Sequence, residues 1–104
     1  MNDQFELDID GYPTDAMLDA IRKWPSRDGW ESLLDAIKPF WKHSDSGYWR
    51  KRSGIYHIAT AGWSGNESIV FELQQNYLFW MMCWYESRRG GKYVFKVKDK
   101  EDEG

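Results

Sequence analysis

The sequence predicts an α+β domain in which an N-terminal helical hairpin precedes a ββαββ unit with a four-stranded, mainly antiparallel sheet. Two observations carry this prediction. Apolar residues recur at helical spacing over residues 13–42, and strand-like alternation with glycine-containing turns dominates residues 48–98. A length of 104 residues fits one domain. We therefore assign residues 1–98 to a single domain and residues 99–104 to an acidic tail.

Two helices are expected in residues 13–42. The first begins near Pro13-Thr14-Asp15 and stops before Pro25, because the residue that precedes a proline avoids the α region. Asp28 and Glu31 have the spacing of a capping box and predict the second helix start. Pro39 predicts its end or a kink near Lys38. The two apolar stripes comprise Met17, Leu18, Ile21 and Trp24, then Trp30, Leu33, Leu34, Ile37 and Trp41.

Two strands follow, over residues 48–52 and 55–60, which are rich in aromatic and β-branched residues. Ser53-Gly54 separates them as a two-residue turn, which predicts a β-hairpin. Strand alternation places the side chains of residues 55, 57 and 59 on one face of the second strand and those of residues 56, 58 and 60 on the other.

The stretch ATAGWSGNESIVFELQQN, residues 59–76, predicts a corner and then a helix. Ser64 and Glu67 have the spacing of a second capping box. Apolar residues continue at helical spacing from Ile69 to Tyr77. Asn76 is expected to end this helix, since asparagine tolerates the left-handed conformation.

The continuous apolar run over residues 77–85 is ambiguous, because periodicity does not separate a helix from a strand in such a run. We favour a strand from about Leu78 to Ser87. A turn signal, Arg88-Arg89-Gly90-Gly91, follows it, and residues 93–97 then alternate, so that a second hairpin is expected.

Composition and charge limit the class of protein. The single cysteine, Cys83, has no internal disulfide partner, which favours a reducing compartment. The acidic first residues lack the apolar segment of a signal peptide, and no apolar run is long enough to span a bilayer. We expect a cytoplasmic protein. Residues 1–10 carry a charge of −4 and residues 47–98 a charge of +5, so the second half favours an anionic partner.

The corner at residues 62–67 is the first candidate site. Trp63, Ser64, Asn66 and Glu67 stand where the free N–H groups of a helix start attract an anion. The alternative is structural, with Trp63 packed on the core and Ser64 and Glu67 capping the helix. We expect the corner to share an outward-facing concavity with the arginines of the second hairpin.

Those arginines, Arg88 and Arg89, are the second candidate site. Paired arginines beside glycines can bind phosphate or carboxylate as a fork, although arginines in a hairpin turn are more often solvated charge. His57 is also a candidate for this surface. As a general base it would need Glu67 or Glu86 nearby.

Arg50, Lys51 and Arg52, beside Trp49, form the third candidate site. Basic residues interleaved with aromatic residues suit single-stranded nucleic acid. Charge that protects an edge strand against aggregation explains the same pattern.

The sequence gives little support for an enzyme. No residue set has the spacing of a zinc site, and Cys83 lies in an apolar run, where a thiol is inert. We predict no metal site, no cofactor and no catalytic residues.

Four motifs, taken in order, resemble uncharacterised small proteins of tailed phages and prophages. They are Gly62-Trp63-Ser64-Gly65-Asn66-Glu67, Phe79-Trp80, Cys83-Trp84 and Ser87-Arg88-Arg89-Gly90-Gly91. The resemblance covers about residues 55–97. It implies a phage or mobile-element origin and an intracellular setting, and it implies no activity.

Three functional hypotheses follow. The first is a non-catalytic, phage-encoded binding protein that modulates a host component through Trp63, Asn66, Arg88 and Arg89. The second is a nucleotide- or phosphodiester-binding protein, with an enzyme as one form of it, in which His57 and Glu67 share a pocket with the arginines. The third is single-stranded nucleic-acid binding through Arg50 to Arg52. The expected partners are thus a host protein, an anionic ligand or a nucleic acid, and not a membrane.

Overall fold

The computed structural model describes residues 3–97, which form four α-helices and a four-stranded antiparallel sheet. The helices are α1 (Asp15–Arg22), α2 (Trp30–Ile37), α3 (Ser64–Gln75) and α4 (Tyr77–Cys83). The strands are β1 (Trp49–Arg52), β2 (Ile55–Ala59), β3 (Trp84–Arg88) and β4 (Lys92–Lys96). The predicted α+β class is confirmed, with the element order ααββααββ. The predicted acidic tail, residues 99–104, lies outside the described residues.

The N-terminal helices start and end near the predicted residues. The Thr14 hydroxyl oxygen accepts a hydrogen bond from the N–H of Met17 at 3.2 Å and caps α1, which ends at Arg22 ahead of Pro25. Helix α2 ends at Ile37 and passes into a 3₁₀ turn that contains Pro39. Helix α1 packs mainly along α3.

Both predicted capping boxes are wrong. Asp28 belongs to a 3₁₀ turn, Ser26–Asp28, and Gly29 occupies the N-cap of α2 with a φ of 87°. Ser64 is the first residue of α3 rather than its cap, and Trp63 occupies the N-cap without a side-chain hydrogen bond. In neither case does the polar residue stand at the N-cap, so its side chain does not satisfy the free N–H groups of the first turn.

The predicted first hairpin, β1–β2, is confirmed. Ser53 and Gly54 have φ values of 51° and 78°, which suit the two-residue turn that joins twisted strands. The sheet order is β1-β2-β4-β3, so β1 and β3 are its edges and β2 pairs with β4 at its centre.

One face of the sheet packs on the helices and forms the core. Tyr56 and Ile58 of β2 are buried and His57 is exposed, as strand alternation predicted. The Tyr56 hydroxyl donates a hydrogen bond to Asp35 Oδ1 on α2 at 2.9 Å. The fully buried side chains include Met17, Ile21, Leu33, Leu34, Ile37, Tyr56, Ile69, Leu73, Phe79 and Phe95.

The strand predicted from Leu78 is wrong over its first six residues, because Tyr77–Cys83 form α4 and β3 begins only at Trp84. Asn76 joins α3 to α4 without a left-handed conformation, since its φ is −83°. Its Oδ1 accepts a hydrogen bond from the N–H of Phe79 at 3.3 Å and starts the new helix. Its Nδ2 donates to the carbonyls of Ile21 and Trp24 at 3.1 and 3.0 Å.

The predicted second hairpin, β3–β4, is confirmed and lies beside the corner that precedes α3. The N–H of Thr60 donates a hydrogen bond to the carbonyl of Gly91 at 3.0 Å. Gly91 has a φ of 73°, and a Cβ at this position would overlap the Thr60 hydroxyl. A glycine is therefore required where the hairpin turn meets the corner.

Candidate functional site

The face of the sheet that points away from the helices carries most of the strand charge. Paired residues of neighbouring antiparallel strands lie on the same face. Arg50 pairs with His57, His57 with Val94, and Val94 with Glu86, so these four residues form one row. The rows on either side of it join Arg52, Ile55 and Lys96, and Ala59, Lys92 and Arg88. We call these three rows the open face.

The open face is strongly basic. Its cations are Arg50, Arg52, Arg88, Lys92 and Lys96, all of them exposed. Glu86 is the one carboxylate in the four strands. The Arg88 guanidinium donates a hydrogen bond to Glu86, and this bond, with the nearby positive charge of Arg88, His57 and Lys96, lowers the pKa of that carboxyl. The single acid is thus held ionised beside an excess of cations.

Lys92 and Lys96 distinguish between two explanations for the basic charge of the open face, which are protection of an edge strand and binding of an anion. Charge on an edge strand prevents that strand from pairing with the sheet edge of another molecule, which explains Arg50 and Arg52 on β1. Lys92 and Lys96 belong to β4, a central strand that already has a partner on each side. Edge protection does not account for them, whereas a site for an anion does.

A shallow depression of about 330 Å³ crosses one end of the open face. It brings together Arg50, His57, Arg88 and Lys92, with Tyr48 at its rim. Of the sequence-predicted site residues, Arg50, His57 and Arg88 therefore share a site. Sequence reasoning had grouped His57 with Arg88 but had placed Arg50 in a separate hypothesis, and Lys92 had no predicted role.

Two tyrosines border the basic surface. Tyr85 is half exposed, and Lys96 Nζ lies 3.6 Å from the centroid of its ring. Tyr48 is also exposed and contacts the His43 ring edge to face at 5.9 Å. Exposed aromatic rings beside cations are the groups on which unpaired bases stack.

The remaining residues of the predicted Arg50–Arg52 site face the other way. Lys51 Nζ lies 2.7 Å from Glu31 Oε2 and 3.2 Å from Asp35 Oδ2 on α2, and its hydrogen bond to Glu31 raises its pKa. Trp49 is buried in the core. Lys51 therefore ties β1 to α2, and it does not belong to the open face.

Trp63 lies at a different depression from Arg88. Its ring stacks on Tyr12 with centroids 5.2 Å apart, and Lys42 Nζ lies 4.9 Å from its centroid. It lines a hollow of about 270 Å³ that Lys42 and Phe40 also line. A Cβ on Gly65 would overlap the Trp63 ring. The ring is thus packed over the first turn of α3, and the expected shared concavity with the arginine hairpin is not formed.

Asn66 has no exposed surface and holds the corner together. Its Oδ1 accepts a hydrogen bond from the N–H of Lys42 at 3.0 Å, and its Nδ2 donates to the carbonyls of Lys42 and Thr60, both at 3.3 Å. All of these partners are backbone groups. The side chain predicted to contact a partner is instead a structural connection inside the protein.

The other predicted site residues are dispersed. Arg89 is exposed in the turn between β3 and β4, and Ser64 is exposed at the start of α3. Glu67 lines a small hollow beside Thr60 and Gly91, away from His57. The pocket in which His57, Glu67 and the arginines meet is therefore not formed.

Cys83 lies in the core, and the metal-binding side chains among residues 3–97 are dispersed. The Cys83 thiol is 3% exposed, and burial raises its pKa to about 12, as the apolar run predicted for an inert thiol. No group of three histidine, cysteine or carboxylate side chains in this part of the chain is placed to hold a metal ion.

Sequence reasoning missed Lys92 and Lys96, although a signal for them was present. Along β4, Lys92, Val94 and Lys96 alternate with Tyr93 and Phe95. Along β1, Arg50 and Arg52 alternate with Trp49 and Lys51. The alternation places each set on one face. Only the register between the strands shows that the two sets share the same face.

Comparisons with known proteins give no match to a protein-family model, a curated protein or a solved structure. The resemblance to phage proteins therefore stays a prediction. Within the described residues, no helix combines the length and apolar character needed to cross a bilayer.

Proposed function

We propose that this protein is a non-catalytic binding protein that holds single-stranded nucleic acid on the open face of its sheet. One observation carries the proposal: five exposed cations and a single carboxylate lie on one side of four adjacent strands. A surface with that excess of positive charge attracts a polyanion and releases its counterions on binding.

The shape of the surface supports an extended ligand. Neighbouring strands lie about 4.8 Å apart, so the four strands spread the cations over roughly 14 Å across the sheet. Several phosphates can contact such a surface at once, while one small anion would use only part of it. The depression beside Arg50 and Arg88 is open rather than enclosed, which suits a chain that enters and leaves.

The tyrosines support an unpaired strand over a duplex. Stacking of a base on an aromatic ring contributes about 1–3 kcal/mol and needs a base that is free of its partner. Tyr85 and Tyr48 offer exposed rings at the border of the open face. A duplex would present phosphates alone to the same cations.

Fluorescence anisotropy of a labelled oligothymidylate of about 20 nucleotides, titrated over a salt series, tests the proposal. The wild type is expected to bind, with an affinity that falls as salt rises. The double variant Lys92→Gln/Lys96→Gln should weaken binding at least about 10-fold at low salt. It should also flatten the plot of log K against log salt by about 0.7 for each phosphate that the variant no longer neutralises.

A matched double variant, Lys42→Gln/Lys51→Gln, removes the same charge from residues outside the open face. It should change binding much less. Absence of binding by the wild type, or equal weakening in both double variants, would overturn the proposal. Circular dichroism melting confirms that each variant is folded.

A second candidate is capture of a host protein with an acidic surface by a phage-encoded protein in the host cytoplasm. The resemblance of residues 55–97 to phage proteins motivates it, since it implies an intracellular setting with host proteins as partners. The net charge of −3 does not separate the two candidates, because it repels an acidic protein and a nucleic acid alike at long range. Polyglutamate serves as the probe, together with Tyr85→Ala. If polyglutamate binds as tightly as oligothymidylate and Tyr85→Ala weakens neither, the face recognises acidic charge in general and this candidate is favoured.

A further inference from the structure

Helix α4 is apolar on all sides, and half of it is exposed. Phe79 and Cys83 are buried toward the sheet, where the Phe79 ring lies 5.2 Å from that of Phe95. The outward residues are Tyr77, Leu78, Met81 and Met82, which are 76, 45, 73 and 64% exposed. We call these four residues the α4 stripe. None of the seven residues of α4 is charged.

A helix that is apolar all round is expected to be covered on both sides. Helix α1 shows the usual arrangement in this protein, since Asp15, Asp19 and Arg22 lie on its solvent side. The α4 stripe has no such polar cover within residues 3–97. It is therefore an apolar surface that no other part of the described chain covers.

The α4 stripe is complementary to itself. Tyr77 and Leu78 lie at its N-terminal end, and Met81 and Met82 follow one turn later. When two copies meet antiparallel about a two-fold axis, the tyrosine of each faces the methionines of the other. Thioether sulfurs make favourable contacts with aromatic rings, and flexible methionines fill the space between two helices.

We propose that the α4 stripe is the interface of a homodimer, in which α4 of one copy packs antiparallel against α4 of a second copy. The uncharged surface favours a second copy over a different protein, because it offers no charge with which a different partner would be selected. The same side chains on both sides satisfy each other without any charge to pair.

The area of the surface places the proposed dimer among small, weak interfaces. Trp84, which is 43% exposed and stacks on Trp80, adds to the α4 stripe. A fully exposed aromatic side chain is taken as about 200 Å², and a methionine or leucine as about 100 Å². Multiplied by the exposed fractions, these values give about 400 Å² for each copy. The pair then buries about 800 Å², the size of a weak interface. We therefore expect a dissociation constant in the micromolar range.

The dimer leaves the open face free, because α4 packs on the opposite side of the sheet. The inference therefore does not depend on the proposed function. If both hold, one dimer presents two basic faces, and a single strand that reaches both binds with increased avidity.

Sedimentation velocity from about 1 to about 500 µM tests the dimer, at concentrations that bracket a weak interface. The wild type should shift toward twice the chain mass of 12.4 kDa as its concentration rises. The variant Met81→Glu/Met82→Glu should remain monomeric over the same range and keep its circular dichroism melt. The control Phe71→Glu places a charge at an exposed aromatic residue on α3, outside the stripe, and should still dimerise.

Three outcomes would overturn the inference. The wild type stays monomeric at the highest concentration, or the stripe variant dimerises as the wild type does, or Phe71→Glu abolishes the dimer as completely as the stripe variant. Flotation with phosphatidylcholine vesicles provides a further check. Wild-type protein that floats, while the stripe variant stays in solution, would assign the stripe to a lipid surface instead.

Discussion

The side-chain amide of Asn66 pairs with the backbone of Lys42 through two hydrogen bonds, accepting from the N–H at 3.0 Å and donating to the carbonyl at 3.3 Å. This exchange resembles the pairing of two backbone peptides in a sheet. It fixes the start of α3 to the segment that leads into β1. The third bond, to the carbonyl of Thr60, adds the end of β2 to the same connection.

Asn66→Ala should therefore destabilise the protein by about 3 kcal/mol, because it leaves buried backbone groups without partners. Urea denaturation measures the change. Ser68→Ala is the matched control on the same helix, since it removes one exposed bond from the Ser68 hydroxyl to the Ser64 carbonyl. That control should cost less than about 1 kcal/mol. Equal destabilisation by the two variants would contradict the structural role of Asn66.

Trp41 and Trp49 are both buried and their rings are in contact. The same substitution should nevertheless change the stability of the protein by different amounts at the two positions. Trp41 Nε1 donates to the carbonyl of Ala59 at 3.0 Å, whereas Trp49 Nε1 is buried without a partner among residues 3–97. Phenylalanine removes the same atoms at both positions. We expect Trp41→Phe to cost about 1–2 kcal/mol more than Trp49→Phe, because only Trp41→Phe leaves a carbonyl unpaired. Thermal melts of the two variants make the comparison, and the reverse order would refute it.

Cys83 should resist thiol reagents in the folded protein, because burial raises its pKa to about 12 and the thiol stays protonated at about pH 8. Labelling with Ellman's reagent should be slow until urea is added. The ordinary thiol pKa of 9.0 lies below the folded value, so the unfolded chain loses its proton first. The free energy of unfolding should thus fall as pH rises from about 9 to about 12. Cys83→Val should remove this part of the pH dependence, and fast native labelling would contradict the prediction.

Glu86→Gln should strengthen the binding of oligothymidylate by about 2- to 5-fold at low salt, the size of an exposed charge interaction. The variant removes the only carboxylate of the open face and releases Arg88 from its present partner. Glu67→Gln is the control, because that carboxylate lies on α3 away from the face. Anisotropy titrations compare the two. Unchanged or weaker binding of Glu86→Gln would count against the open face as the contact surface.

The sequence predicted both hairpins because their turns are marked by local chemistry. Ser53-Gly54 and Gly90-Gly91 stand where positive φ values are needed, and alternation over residues 55–60 and 93–97 defines the strand that follows each turn. Helix α4 was wrongly predicted as strand because its residues are apolar on every side and give no period. Its helical state depends on Asn76, whose amide is fixed by carbonyls of Ile21 and Trp24, about fifty residues earlier in the chain.

The site was predictable only in part for a similar reason. Arg50, His57 and Arg88 were each identified from local pattern, but their position on one face depends on the register of β1, β2, β4 and β3. Asn66 had the residue type expected of a surface contact, and its burial follows from its bonds to the backbone of Lys42. Such pairings arise from the tertiary fold and have no local signature.

The central pairing of β2 with β4 also bears on how the chain behaves when it is cut. Cleavage at the exposed Ala61-Gly62 corner separates one hairpin with α1 and α2 from another hairpin with α3 and α4. Each fragment then has a sheet edge whose hydrogen-bonding groups match the other fragment. We expect the two halves to recombine without a covalent link, so that this protein can serve as a split tag whose reassembly reports the proximity of two fused proteins.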